Sequence, residues 1–342
     1  MLKIFEDIDK IKEKHPKYTF LKNRVWERKV LENLVDGFVD RDNDITFKFQ
    51  KEFHSSFWEF YLFGLFKELG FEVDFSKNRP DFIIKNPLKI NIEAVTANVK
   101  NDGSDAEGRT FLDTYPLKLS DLEFKKILDE GIVRNSNALN NKMNSFKKNY
   151  SRCNWIDEKD PFIIAIGAYD QTNYGREFYF SMLALLYGYY ATKYEVGANM
   201  TFKESILKPG TNSEIQLNLF SNEEYSDISA IIFSCTATIG KLSALSISRY
   251  GHGNSVISIR HDSEYNNYPI HDVSINNPEE IGDGLFIFHN PNAKVSIEKS
   301  LFNKIGIVQI YIEDCQLKIM GDNLPLLSRY NSDLMESFPN LV

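Results

Sequence analysis

The chain lacks the features of a membrane-bound or exported protein. No apolar run in its 342 residues approaches the roughly 18 to 20 residues that a transmembrane helix needs. The N-terminal stretch MLKIFEDIDKIKEKHPKY is charged throughout and has no apolar core of the kind found in signal peptides. The three cysteines are far apart and show no metal-ligand spacing. We therefore expect a cytoplasmic protein with reduced thiols and no membrane partner.

An excess of positive charge is also missing, since the formal net charge is −8. An acidic chain does not coat nucleic acid passively, although one local basic surface can still bind phosphates. The histidines have no zinc-ligand spacing, and no Gly-x-Ser-x-Gly motif is present. The stretch TATIGKL, residues 236–242, lacks the first glycine and the final Ser or Thr of a phosphate-binding loop. No motif indicates a zinc enzyme, an α/β-hydrolase or an NTPase.

Helical and strand periodicities alternate along the chain. Residues 22–39, 51–70, 136–150 and 178–192 have helical spacing of their apolar or polar side chains. Short β-rich runs lie between and after them: FEVDF, DFIIK, KINIEAVTA, PFIIAIGA, ISAIIFS, SVISI and GLFIFH. This interleaving predicts an α/β fold in which a mixed central β-sheet is flanked by helices.

The sequence contains no clear domain boundary. One interpretation divides it into an N-terminal helical extension over residues 1–50, a core over 51–170 and a continuation of the α/β sheet over 171–342. The other is a single domain. The third segment carries no motif that indicates a function, and it contains stretches for which the sequence supports no structural prediction (191–227 and 260–283).

The stretch RPDFIIKNPLKINIEAVTAN, residues 79–98, is the most informative part of the sequence. It predicts a β-hairpin that turns at Asn86-Pro87-Leu88, which sets Asp81 directly opposite Glu93. In the same register one face of the hairpin is entirely apolar and the other is mainly polar. The apolar face carries Phe82, Ile84, Ile90 and Ile92, and the polar face carries Asp81, Ile83, Lys85, Lys89, Asn91 and Glu93.

Two carboxylates at directly opposed positions repel each other unless a cation lies between them. Mg²⁺ accepts one or two carboxylates together with waters and phosphate oxygens. Asp81 and Glu93 therefore form a candidate metal site. The alternative is that Asp81 only begins a strand after Pro80, and that Glu93 is a solvated strand residue.

Glu59 is a third candidate acid. In the helix predicted over 51–70 it shares its side with Leu62, Phe63 and Phe66, which is an unusual place for a carboxylate. In the alternative interpretation, Ser56 and Glu59 form a capping box at the start of a helix, or Glu59 makes an exposed salt bridge.

Residues 134–152, RNSNALNNKMNSFKKNYSR, combine several basic residues with no acid. Asparagines and two aromatic residues lie between the basic ones. Such a segment can follow a phosphate backbone, although many charged segments are simply solvated faces. We predict nucleic-acid contacts for Arg134, Lys147, Lys148 and Arg152, and a place near the carboxylates for Lys142.

The order of these features resembles the PD-(D/E)XK nuclease superfamily, the fold of many restriction endonucleases. The resemblance rests on a helix bearing Glu59, then Pro80-Asp81, then a hairpin with Glu93 on its second strand, and it covers roughly residues 51–170. It implies a restriction-endonuclease-like αβββαβ core and hydrolysis of DNA, favoured over RNA, with Mg²⁺ or Mn²⁺. Asp81 and Glu93 would be metal ligands, and Glu59 the helix acid found in many members.

The sequence departs from the family pattern two residues after Glu93. The family has lysine at that position, whereas this chain has Val95, which cannot activate water. Some members take the lysine from the following helix, and Lys142 is the best placed candidate, with Lys147 and Lys148 behind it. Two hypotheses remain: a metal-dependent endonuclease, with a role in restriction or defence implied by the family alone, or an inactive relative that binds nucleic acid or protein. Homodimerisation remains open.

Overall fold

The computed structural model of the chain describes residues 2–98, 120–150, 153–169, 176–193, 200–262 and 267–332. The helices, in chain order, are α1 Pro16–Lys22, α2 Val25–Leu34, α3 Ile45–Lys51, α4 His54–Leu69, α5 Asp121–Ser145, α6 Phe180–Tyr187 and α7 Ile239–Tyr250. A π-helical turn, Phe146–Tyr150, follows α5 directly. Short 3₁₀ turns lie at Leu219–Ser221, Glu223–Tyr225 and Lys299–Phe302.

The largest sheet among the described residues has eight strands in the order β1-β2-β3-β4-β9-β12-β13-β14. Strand β3 is antiparallel to β2 and parallel to β4, so the sheet is mixed. Its strands are β1 Glu72–Val73, β2 Phe82–Asn86, β3 Ile90–Asn98, β4 Phe162–Tyr169, β9 Ala230–Ser234, β12 Phe286–His289, β13 Val308–Glu313 and β14 Gln316–Met320.

Smaller sheets are formed by the remaining strands. Strands β11, β10 and β15 form a three-stranded sheet, and the pairs β5–β6 and β7–β8 form two hairpins. Their bounds are β5 Tyr189–Ala191, β6 Met200–Phe202, β7 Ser205–Leu207, β8 Glu214–Gln216, β10 Val256–Arg260, β11 Ile270–Asp272 and β15 Leu326–Asn331.

Helices cover both faces of the large sheet. Residues of α1 to α4 and α7 share one apolar core with one set of strand residues, including Ile90 and Ile92. Residues of α5 and α6 share a second core with the opposite set, including Ile164 and Ile166. Because side chains alternate along a strand, each central strand contributes to both cores. The prediction of an α/β fold with a mixed central sheet flanked by helices is confirmed.

Several predicted elements differ in extent from those observed. The helix predicted over 178–192 ends at Tyr187, because Gly188 takes the left-handed conformation (φ 78°) and the chain turns into β5. The helix predicted over 136–150 begins earlier, at Asp121, where Ser120 and Glu123 form a capping box. The SVISI strand is β10, which belongs to the three-stranded sheet.

The large sheet draws strands from both sides of residue 170, from β1 to β14. The division at 50 and 170 stays a prediction. In the described ranges, no helix combines the length and the apolar character needed to cross a bilayer.

A buried charge network joins α7 to the three-stranded sheet. Nζ of Lys241, from the TATIGKL stretch, lies 2.5 Å from Oε1 of Glu279, and both side chains are fully buried. Nη2 of Arg329 on β15 lies 2.7 Å from the same oxygen. Beside them, Arg260 pairs with Asp283 at 2.7 Å. Lys241 is therefore part of a buried ion-pair network and is not exposed in a loop.

The substitution Glu279→Gln should lower the free energy of unfolding by about 3–5 kcal/mol, because it leaves Lys241 and Arg329 buried without their shared counter-charge. Urea unfolding measures the change. The matched control is Glu313→Gln, since Glu313 is largely exposed and lies 3.6 Å from Lys299, where an ion pair contributes little. Equal stability of the two variants would contradict this interpretation of the network.

Candidate functional site

The β2–β3 hairpin has the register that the sequence predicts. Phe82 pairs with Ile92 and Ile84 with Ile90, so Asp81, immediately before β2, lies opposite Glu93. The apolar face of the hairpin is buried in the core that contains α4. The other face, with Asp81 and Glu93, lies toward α5.

Asp81 is held from both its main chain and its side chain. The Arg41 guanidinium donates to the carbonyl oxygens of Lys77, Pro80 and Asp81, with 3.2 Å to Pro80 and 2.8 Å to Asp81. The backbone N–H of Ala94 donates to Oδ2 of Asp81 at 2.8 Å. The carboxylate is thus oriented toward β3 while its other oxygen, Oδ1, makes no hydrogen bond within the described residues.

Glu93 is deeply buried, with 2% of its side chain exposed. Each of its oxygens has a separate donor. Nζ of Lys142 on α5 lies 2.6 Å from Oε2, and the hydroxyl of Tyr150 donates to Oε1. Nζ of Lys142 also lies 3.4 Å from Oδ2 of Asp81. The Lys142 ammonium therefore occupies the space between the two carboxylates, where their mutual repulsion predicts a cation.

The proton affinities of these groups reflect burial and mutual charge. Burial, followed by the charge of Asp81, raises the pKa of Glu93 to about 7, although Lys142 and Tyr150 act in the opposite direction. Burial alone would lower the pKa of Lys142, but the charges of Asp81 and Glu93 outweigh it and hold this pKa above its usual value. Burial and Glu93 also raise the pKa of the Tyr150 phenol. Lys142 is consequently a cation throughout the physiological range.

Lys142 reaches the site because α5 packs against the sheet on the face that carries Glu93. Phe124, Leu128 and Leu139 of this helix lie in the core beneath it. Val95, the residue at the family's lysine position, is half-buried and packs against the same core. An apolar side chain fits that place, and the amine comes from the facing helix.

Glu59 lies on α4, across the sheet from α5. The capping-box alternative is wrong, because α4 begins at His54 and Ser56 is already inside it. Burial, followed by the charge of Asp81, raises the pKa of Glu59 to about 8. Among the described residues, no hydrogen bond or ion pair joins Glu59 to Asp81, Glu93 or Lys142. Its influence on the site is electrostatic.

The basic residues of the segment 134–152 do not all face the same way. Arg134 is half-buried, Lys147 and Lys148 are exposed, and Arg152 lies outside the described residues. Arg134 and Lys148 stand at the two ends of a polar stripe along α5 and the π turn, with exposed asparagines between them at helical spacing. The stripe consists of Arg134, Asn137, Asn141, Asn144 and Lys148.

The donor set fits Mg²⁺ only in part. Two carboxylates are enough when waters and a phosphate oxygen complete the shell. Within the described residues, no three His, Cys, Asp or Glu side chains come together as a metal cage. Among the described side chains, Asp81 and Glu93 are thus a two-carboxylate set, and waters or a phosphate oxygen would complete the shell of a divalent ion.

Comparison of the chain with the models of known protein families, with curated proteins and with solved structures finds no match. The interpretation of the site rests on the chain's own side chains. Asp81, Glu93 and Lys142 meet, and within the described ranges Glu59 interacts with Asp81 and Lys142 through charge, without a hydrogen bond or ion pair to them.

Sequence reasoning missed two residues that shape the site. Arg41 lies in a polar break between helices, and nothing in its surroundings points to the carbonyls it binds. In the sequence, Tyr150 stands out only as one of two aromatic residues in a basic segment. Its distance along the chain from Lys142 is wrong for a shared face of a regular α-helix, which concealed it.

Glu59 should make stability depend on pH in the metal-free protein. Its pKa rises from 4.5 to about 8 on folding, so its contribution to stability is complete below about pH 4.5 and is lost as pH rises through 8. The variant Glu59→Gln cannot ionise, so its stability relative to wild type should increase between pH 4.5 and 8. Chemical unfolding in EDTA across this range measures the difference. A difference independent of pH would contradict a raised pKa of Glu59.

Proposed function

We propose that the chain is a Mg²⁺-dependent endonuclease with a restriction-endonuclease-like core, in which Mn²⁺ can replace Mg²⁺ and DNA is favoured over RNA. The fold class, the hairpin and the carboxylate pair are compatible with such an enzyme, and the resemblance of the sequence to PD-(D/E)XK nucleases gives the reaction class. A role in restriction or defence belongs to the same proposal and rests on the resemblance alone.

The observation that carries the proposal is the position of Lys142. A hydrolase of this type needs an amine beside its two carboxylates, and Val95 leaves that role unfilled on β3. Lys142 contacts Glu93 at 2.6 Å and Asp81 at 3.4 Å from the facing helix. These contacts support Lys142 as the replacement for the missing lysine.

The residues divide the chemistry between them. Asp81 and Glu93 would hold a divalent ion, which would supply Lewis-acid activation of a water and of a phosphate oxygen. Because its pKa is raised, Lys142 stays protonated at neutral pH and is unsuited to act as a general base. Its ammonium instead orients the attacking water and neutralises charge that develops on the phosphate. Because its pKa is raised to about 8, Glu59 is mostly protonated at neutral pH, and its carboxyl would hydrogen-bond a water in the outer shell of the ion.

The polar stripe of α5 is the proposed contact with the nucleic-acid backbone. Asn141 and Asn144 flank Lys142 in sequence, but helical geometry places the stripe about 120° round α5 from this lysine, on the exposed side of the helix. Arg and Lys neutralise phosphates, and Asn side chains donate to phosphate oxygens. Cations at the two ends of an otherwise uncharged stripe suit a bound backbone in an acidic protein.

One observation favours the alternative, an inactive binding or interaction protein. Lys142 neutralises Asp81 and Glu93 within the fold, so the pair has a counter-charge without any metal. In this case the carboxylates and the lysine stabilise the packing of α5 on the sheet. Metal binding separates the two functions, since only the endonuclease requires it.

The substitutions Asp81→Ala and Lys142→Met should each reduce Mn²⁺-dependent cleavage of DNA by about 10²–10⁴-fold, because one removes a ligand and the other the transition-state cation. A plasmid-nicking assay measures the rate. Lys85→Met is the control, since Lys85 lies on the same hairpin but pairs with Asp74 at 3.2 Å. Full activity in Asp81→Ala would refute the proposed function.

Replacing Arg134 and Lys148 with alanine should weaken DNA binding at low salt. It should also reduce the slope of log affinity against log salt concentration by the amount expected for about two lost phosphate contacts. Fluorescence anisotropy at several salt concentrations measures both quantities. Lys318→Ala is the control, because Lys318 lies on β14 at the opposite end of the sheet from the hairpin. If the control lowers the affinity as much as the double variant, binding does not involve the stripe.

A further inference from the structure

Tyr150 contacts Glu93 of the carboxylate pair, although its spacing from Lys142 is wrong for an α-helix. Each residue of an α-helix turns by about 100°, so a residue eight positions after Lys142 would stand about 80° round the axis from it. The seventh residue, by contrast, would stand within about 20° of Lys142. Tyr150 is the eighth residue, yet both side chains bind Glu93.

The π turn Phe146–Tyr150 resolves this mismatch. A π turn closes its hydrogen bond over one more residue than an α turn. The turn therefore accommodates one extra residue. The Tyr150 side chain points in the direction that the seventh residue after Lys142 would have in a regular α-helix. Lys142 and Tyr150 then stand on one face, about 10 Å apart along the axis, and their long side chains converge on Glu93 between them.

Packing holds the π turn in place. The Phe146 ring stacks on Phe162 of β4 with 4.0 Å between the ring centroids. Tyr150 packs edge-on against Phe146, with 5.9 Å between centroids and an interplanar angle of 83°. Tyr150 is buried, so its ring is fixed before any ligand binds.

We propose that Tyr150 is a positioning residue for the carboxylate pair, presented by the π turn, and that its hydroxyl holds Oε1 of Glu93 so that Oε2 is the oxygen offered to a divalent ion. The inference rests on the proposed function and assigns this residue a role at the same site. The hydroxyl fixes the rotation of the carboxylate, and Lys142 or a metal ion then meets Oε2 in a set direction. Partners of this kind, which orient a metal ligand, affect metal affinity strongly.

The test compares Tyr150→Phe with wild type in calorimetric titrations of Mn²⁺, in the presence of a non-cleavable oligonucleotide. Loss of the hydroxyl should weaken Mn²⁺ binding by about 10–100-fold. Tyr225→Phe is the matched control, because the Tyr225 hydroxyl donates at 2.7 Å to Asn140 on the same helix and does not touch the carboxylates. The control should bind Mn²⁺ as wild type does.

A second measurement tests the contact without metal. Unfolding of Tyr150→Phe, Glu93→Gln and the double variant in EDTA forms a double-mutant cycle, and the two substitutions should be non-additive. Additive effects would overturn the proposal, as would unchanged or tighter Mn²⁺ binding by Tyr150→Phe when wild type binds the ion. Failure of wild type itself to bind Mn²⁺ would overturn the proposed function and this role together, and is recognised by the wild-type titration alone.

Discussion

The burial of the Glu93 carboxylate constrains the side chains and the helix that surround it. A charge removed from water at the centre of a sheet is unfavourable unless other charges and hydrogen bonds compensate for it. Here Asp81 adds a second negative charge across the hairpin, so the demand for positive charge is greater. Lys142, Tyr150 and the packing of α5 on β3 meet that demand. The contacts that pack α5 against β3 are therefore also the contacts that form the candidate site.

The parts of the fold that follow from local pattern could be read from the sequence. The hairpin register follows from the alternation of apolar and polar residues about Pro87, since a slip of one residue would exchange its faces. The Gly70 end of α4 and the apolar run of β4 follow from equally local signals. Lys142 could be predicted because Val95 occupies the family's lysine position, so that the amine has to come from the next helix.

The remaining features depend on contacts between distant segments. Arg41 binds the carbonyls around Pro80, and Glu279 meets Lys241 and Arg329 from separate parts of the chain. The hydrophobic periodicity of the sequence carries no information about contacts between such distant segments. Tyr150 was hidden for a different reason, because regular helical geometry assigns it to the wrong face and only tertiary packing selects the π turn. The β5–β6 and β7–β8 hairpins, with three-residue strands, are too short to leave a distinct pattern.

The ammonium of Lys142 gives the carboxylate pair a resident cation that is part of the chain. Binding of an ion from solution is therefore an exchange, in which one positive charge must move aside before another enters. A sodium or potassium ion would bring no more charge than the lysine it displaces, and would gain nothing by Coulomb attraction. A divalent ion brings one charge more. The tethered lysine thus makes the carboxylate pair selective for divalent over monovalent ions.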